Sequence, residues 1–165
     1  MKKEDLPKIL PVFPLSNFII FPRTTVPLNI FEPRYIQMID KSMKSDRMIG
    51  MVQPKKTGEL TKPDLHDVGC AGKITSFNET DDGRYLIILN GVCRFKIMEE
   101  VNSDNLYREC EVKYEDFSND LSEKSDEIKF SDLKLIFQNL KGLFKKQGYE
   151  INWKEIEKQS LDQTI

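Results

Sequence analysis

Residues 13–40 read FPLSNFIIFPRTTVPLNIFEPRYIQMID, a stretch in which an apolar, proline-punctuated entry gives way to helical spacing. Pro11, Pro14, Pro22 and Pro27 each lack a backbone N–H, so this region holds neither a long helix nor a central strand. The spacing instead predicts short extended pieces over 9–13, 18–21 and 25–30. In the last of these Val26, Leu28 and Ile30 alternate, while Pro27 falls on the opposite face and marks a sheet edge. At Glu32-Pro33-Arg34 the period changes. Pro33 suits a first helical position, and Tyr35, Met38, Ile39 and Met43 recur at helical spacing, which predicts one helix over 33–44.

Downstream of that helix the pattern is β. A strand is expected over 48–53, then a polar loop containing Gly58 and two prolines. Segments 69–78 and 84–90 flank Glu79-Thr80-Asp81-Asp82-Gly83, where Asp-Gly signals a hairpin turn. Tyr85, Ile87 and Leu89 alternate with Leu86 and Ile88, so a strand buried on both faces is expected. Gly91-Val92 starts a further strand through Cys93, Phe95 and Ile97, and 107–114 forms the last. Residues 118–127 read as a polar linker. Beyond them Leu133, Ile136, Phe137, Leu140, Leu143 and Phe144 mark an amphipathic helix, and Asn152 with Glu155 resembles a capping box. The expected fold class is α+β. A β-rich body of about six strands with one embedded helix occupies 1–117, the linker 118–127, and a helical segment 128–165.

Composition narrows the function. The chain of 165 residues is 39% apolar and 32% charged, an ordinary globular balance. Its 25 basic and 27 acidic residues leave a net charge of -2, which offers no general attraction to phosphates or anionic lipid. No apolar run approaches the ~20 residues of a membrane span. The N-terminus meets Glu4, Asp5 and Pro7 before any signal-like stretch forms, so a cytoplasmic location with reduced thiols at Cys70, Cys93 and Cys110 is expected. Gly72-Lys73 lacks the surroundings of a phosphate loop, because Asp67 stands where that loop needs glycine and Ile74 where it needs Ser or Thr. His66 and Cys70 make at most half a metal site. No catalytic group, cofactor or metal is expected.

Four ordered blocks carry a family likeness: the stretch quoted above, IGMVQP, DVGCAGKI and DGRYLIILNGVCRFKI. Together they resemble the N-terminal (substrate-binding) domain of Lon proteases over about residues 9–114. The resemblance implies a PUA-like β pseudobarrel followed by helices, in a stand-alone bacterial member without ATPase or peptidase domains. Relatives of that kind continue past the Trp153 region into further helices, so the C-terminal segment here is expected to be truncated or reduced. The implied role is a polypeptide-binding module of adaptor or chaperone type for unfolded or apolar segments, with a groove between the β body and the C-terminal helices. An RNA-binding module is the alternative, with Lys55, Lys56, Lys62 and Lys73 as a small basic patch, although the charge balance disfavours nucleic acid. A structural partner of a separate Lon protease is another.

Candidate binding residues are apolar. Phe18, Ile19, Ile20 and Phe21 are consecutive, so an extended segment exposes some of them. From that segment and its surroundings Phe18, Ile20, Phe21 and Phe31 are expected to meet polypeptide, and from the C-terminal helix Phe137 and Phe144, with weak self-association as a further consequence. The motif residues Glu32, Pro33, Arg34 and Tyr35, with Gly69, Gly83, Arg84, Gly91, Arg94 and Phe95, are expected to be structural. Glu32 and Arg34 would fix the strand-to-helix corner, and Arg94 would join their network.

Overall fold

A computed structural model describes residues 3–16, 18–55, 62–122 and 130–146, with the backbone alone for 3 and 130–137. Two compact units divide at Ser122/Glu123. The first contains strands β1 (Ile9–Pro14), β2 (Thr25–Ile30), β3 (Met48–Val52), β4 (Val68–Glu79), β5 (Tyr85–Val101) and β6 (Arg108–Lys113), with helix α1 (Pro33–Met43) between β2 and β3. The second contains helix α2 (Phe130–Lys146). The Asn152 capping box lies outside the described residues.

The six strands form one mixed sheet in the order β2-β5-β4-β3-β1-β6, and β6 also pairs with β5. Strands β5, β4, β3, β1 and β6 therefore close a ring, and β2 hangs on its outer edge. Closure depends on β5, which is a single strand of 17 residues rather than two strands separated at Gly91. Its first half pairs with β2, from Thr25↔Asn90 to Ile30↔Tyr85. Its second half pairs with β6, from Lys96↔Lys113 to Val101↔Glu109. β4 follows β5 along the other edge, with register shifts at Ala71/Gly72 and Ile74/Ser76 that bend the pair.

Two apolar cores result. One gathers Ile30, Met38, Ile39, Ile49, Ile74 and Leu89 beneath α1, and the other gathers Leu10, Val12, Ala71, Cys93, Phe95 and Val112. All five residues of β3 are buried. Ile49 and Met51 face the first core while Met48 and Val52 face the second, so β3 is the strand covered on both sides. That role was expected of 84–90. There Tyr85, Ile87 and Leu89 are buried, but Leu86 and Ile88 are 44% and 38% exposed because nothing described covers their face.

Helix α1 starts with Pro33 after an extended Glu32 and buries Tyr35, Met38, Ile39 and Ser42. The Tyr35 ring packs at a tilt of 54° against that of Phe13, their centroids 4.2 Å apart, which ties the helix to β1. A 3-10 turn spans Glu115–Leu121, so the first residues of the expected 118–127 linker are folded and belong to the first unit.

Candidate functional site

Phe18–Phe21 forms no strand, contrary to the expectation for 18–21; it is an irregular crossing segment. Its path is set by Gly91. A side chain at Gly91 would collide with the carbonyl oxygen of Phe21 and stand 3.2 Å from Ile20 Cγ1. Two backbone bonds fasten the crossing: Arg23 N–H donates to Gly91 O and Gly91 N–H donates to Thr24 O, both at 2.8 Å. Phe21 N–H donates to Thr24 Oγ1 at 3.2 Å, which tightens the turn that follows. Gly91 is thus the point at which β5 leaves β2 and receives the crossing chain.

The crossing exposes alternate side chains. Ile20 is 4% exposed and packs in the first core, whereas Ile19 and Phe21 are 58% and 59% exposed. Phe18 is half-buried. Of the expected binding residues Ile20 is therefore an anchor, and Ile19 takes the exposed place beside Phe21.

Beside this segment lies a groove of about 500 Å³ whose walls are mainly apolar. Phe18–Phe21 line one side, and Met51, Val52, Val68 and Gly69 line the floor and opposite side. Val68 is 46% exposed. Packing requires glycine at position 69: a Cβ there would lie 2.5 Å from both Met51 O and Phe95 Cζ. Cys70 also lines the groove, but burial pushes its thiol up to about 12, so it stays protonated and a poor nucleophile. Burial likewise raises Cys93 and Cys110, each to about 11. Among the described residues no cluster of three metal-ligating side chains occurs.

Arg94 stands at the groove wall and is held by Asp120. Its Nε and Nη2 donate to the two carboxylate oxygens at 2.9 and 2.8 Å, and its backbone N–H donates to Oδ2 at 2.9 Å. The guanidinium also lies 4.8 Å from the Phe117 ring centroid. Arg94 is therefore separate from the Glu32–Arg34 pair it was expected to join. In that pair Arg34 Nη2 and Glu32 Oε2 are 2.7 Å apart, and the guanidinium sits 4.5 Å from the Tyr35 ring centroid.

The other expected residues lie elsewhere. Phe31 is 63% exposed but does not line the groove. Arg84 pairs with Asp82 at 2.9 Å beside the hairpin turn. Phe144 is half-buried on α2, and the Phe137 side chain lies outside the described residues. Two of the four lysines of the basic patch are matched by carboxylates, Lys55 with Asp67 at 3.4 Å and Lys62 with Glu100 at 2.8 Å. Lys56 lies outside the described residues. Among the described residues no helix is long and apolar enough to cross a membrane.

The comparisons with known proteins agree with this architecture. The family model of the ATP-dependent protease La (LON) substrate-binding domain matches residues 9–164. The Lon protease of Cytophaga hutchinsonii is 32% identical over 126 residues, which are 75% of this chain and 16% of that protein. The Lon protease of Flavobacterium johnsoniae is 28% identical over 145 residues, 87% of this chain and 17% of that protein. The chain thus spans 16% and 17% of the length of these two relatives. Among solved structures, the Lon N-terminal domain protein from Xanthomonas campestris superposes with a TM-score of 0.52 and 26% identity, over 64% of this chain and 59% of that one. The N-terminal domain of Mycobacterium avium complex Lon protease gives 0.54 and 16% identity over 91% and 73%, a likeness of fold. With the ring of strands and the ordered sequence blocks matched together, the chain belongs to the Lon substrate-binding domain family.

Proposed function

We propose that the protein is a non-catalytic polypeptide-binding module, and that the groove beside Phe18–Phe21 receives apolar side chains of an extended or unfolded client in an adaptor- or chaperone-like role. The observation that carries this reading is the placement of Ile19, Phe21 and Val68. Two of these large apolar side chains are held out in water by a segment whose neighbours, Ile20 and Gly91, are fixed, and the third stands at the start of β4 across the same apolar groove. Burying one such side chain is worth about 1.5–3 kcal/mol, so two or three contacts give weak, general capture without demanding a sequence. The pairing of Lys55 with Asp67 and the even balance of 25 basic and 27 acidic residues favour this reading over nucleic acid, since capture of a phosphate backbone needs a run of unmatched cations. Service to a separate Lon protease is the same activity in a larger assembly.

A labelled Leu-rich unfolded peptide titrated by fluorescence anisotropy tests the reading. Phe21→Ser should weaken binding about tenfold, at unchanged thermal stability because the side chain is exposed. Affinity should vary little between low and moderate salt. Equal affinity of wild type and a Phe21→Ser, Ile19→Ser double variant would exclude the groove, and a steep fall with salt would favour a phosphate ligand.

A further inference from the structure

A second groove, of about 380 Å³ and mostly polar, is lined by Pro54 and Ser16, which are near neighbours in sequence of Gln53 and Phe18 in the apolar one. Its walls bring together Tyr35 of α1, Lys62, Glu100 and Arg108, residues spread over 74 positions of sequence from 35 to 108. Glu100 is shared. Lys62 Nζ lies 2.8 Å from its Oε1, while Arg108 Nη2 donates to Oε2 at 2.8 Å and Nε to Oε1 at 3.1 Å. Arg108 Nη1 donates to Pro63 O at 2.6 Å, which fixes the guanidinium. Two cations against one carboxylate leave one positive charge. Arg34, which also lines the groove, adds none, because Glu32 matches it.

Tyr35 supplies the second observation. It is 5% exposed, it lines this groove, and its hydroxyl makes no hydrogen bond among the described residues. Burial holds the proton on that phenol against a weaker opposing pull from Arg34, so the group is available as a donor. The oxygen itself is reached from the groove, since Ser42 Oγ is the one buried side-chain polar atom without a partner among the described residues, so an arriving carboxylate can accept the Tyr35 proton without displacing an existing bond. Asn102, farther along the wall, offers an amide group suited to a peptide backbone, whereas the amide N–H groups of Asn105 are already given to Ser103 Oγ and Glu109 Oε2.

We infer that this groove binds the free C-terminal carboxylate of a client polypeptide, through the Tyr35 hydroxyl and the Lys62–Glu100–Arg108 triad, while preceding apolar residues occupy the apolar groove. One excess positive charge suits a monoanion. A phosphate dianion would meet Glu100 and remain half-compensated. The inference rests on the polypeptide-binding reading, and it adds polarity: clients are read from their C-terminal end.

The test uses the full chain and a fluorescein-labelled Leu/Ser peptide made with a free C-terminus, as the C-terminal amide, and as an amide ending in Glu. The free acid should bind about tenfold or more tightly than the plain amide. Tyr35→Phe removes only an unpartnered hydroxyl, so melting temperature should hold or rise while the free-acid preference falls about threefold to tenfold. Lys62→Gln, at an exposed position, should lower the same preference. Phe21→Ser should weaken free acid and amide alike. Equal binding of acid and amide, with Phe21→Ser still damaging, would sink this inference and leave the apolar groove standing. No binding of any peptide would remove both. The Glu-ending amide matching the free acid, or inorganic phosphate displacing it at lower concentration than acetate at equal ionic strength, would overturn the assignment to a terminal carboxylate.

Discussion

Phe95 is wholly buried, and its ring fills space that side chains at two other positions would need. A Cβ at Gly50 would stand 2.8 Å from Phe95 Cζ, and one at Gly69 2.5 Å from the same atom. These glycines are there for volume, since neither has a positive φ. Gly83 is the opposite case. Its φ is +78° and nothing lies within 4 Å of the place a Cβ would take. The turn is closed by Gly83 N–H donating to Thr80 O and Thr80 N–H to Arg84 O, both at 2.9 Å. Gly83→Val therefore meets backbone strain and no clash, and should cost about 1–2 kcal/mol. A urea titration measures it: a lower midpoint at unchanged slope is expected, and an unchanged midpoint would show that the turn tolerates a β-branched residue.

Among the elements, the 3-10 turn at Glu115–Leu121 does more than end the sheet body, because Asp120 locks Arg94 of β5. The hydrogen bonds from Arg94 hold the Asp120 carboxyl below the ordinary aspartate range, outweighing burial, which acts in the opposite sense. The unfolded chain thus takes up this proton more readily than the folded one. The stability contributed by Asp120 is complete above the unfolded value of about 3.9 and is lost as pH falls through the lower folded value. Asp120→Asn should be less stable than wild type at pH 7, and the difference should shrink in denaturant titrations carried below pH 4. A constant difference down to pH 2 would remove the ion pair as its source. This contact was not legible in sequence: SNDLSEKSDE reads as a linker, and a separation of 26 positions from Arg94 to Asp120 gives no sign of their meeting. Helix α1, β2 with its edge proline, and the 79–83 turn were legible, because proline, apolar period and Asp-Gly act locally. The continuity of β5 was not, since a glycine required by a crossing chain looks the same as one that ends a strand. Four consecutive apolar residues marked the groove segment, but which of them face water depends on an irregular path that no period describes.

At the scale of the whole molecule, the ring explains why one unit can carry the proposed site. Every residue lining the two grooves lies between Val12 and Arg108, inside the unit that ends at Ser122. The ring closes through the β5–β6 pairing, so its hydrogen-bond ladders are completed within that unit, leaving β2 as an edge blunted by Pro27. A fragment of residues 1–122 should therefore unfold in one cooperative transition and bind the Leu-rich peptide within about threefold of the full chain, roughly 0.6 kcal/mol. Helix α2 would then serve another purpose. Leu143 on it is 52% exposed, and weak self-association of the full chain that the fragment lacks would place the expected apolar contact there. Sedimentation velocity and peptide anisotropy on both proteins separate the outcomes. Loss of peptide binding by a fragment with an intact transition would move the client surface from the crossing segment to α2, where Phe137 and Phe144 were expected to act.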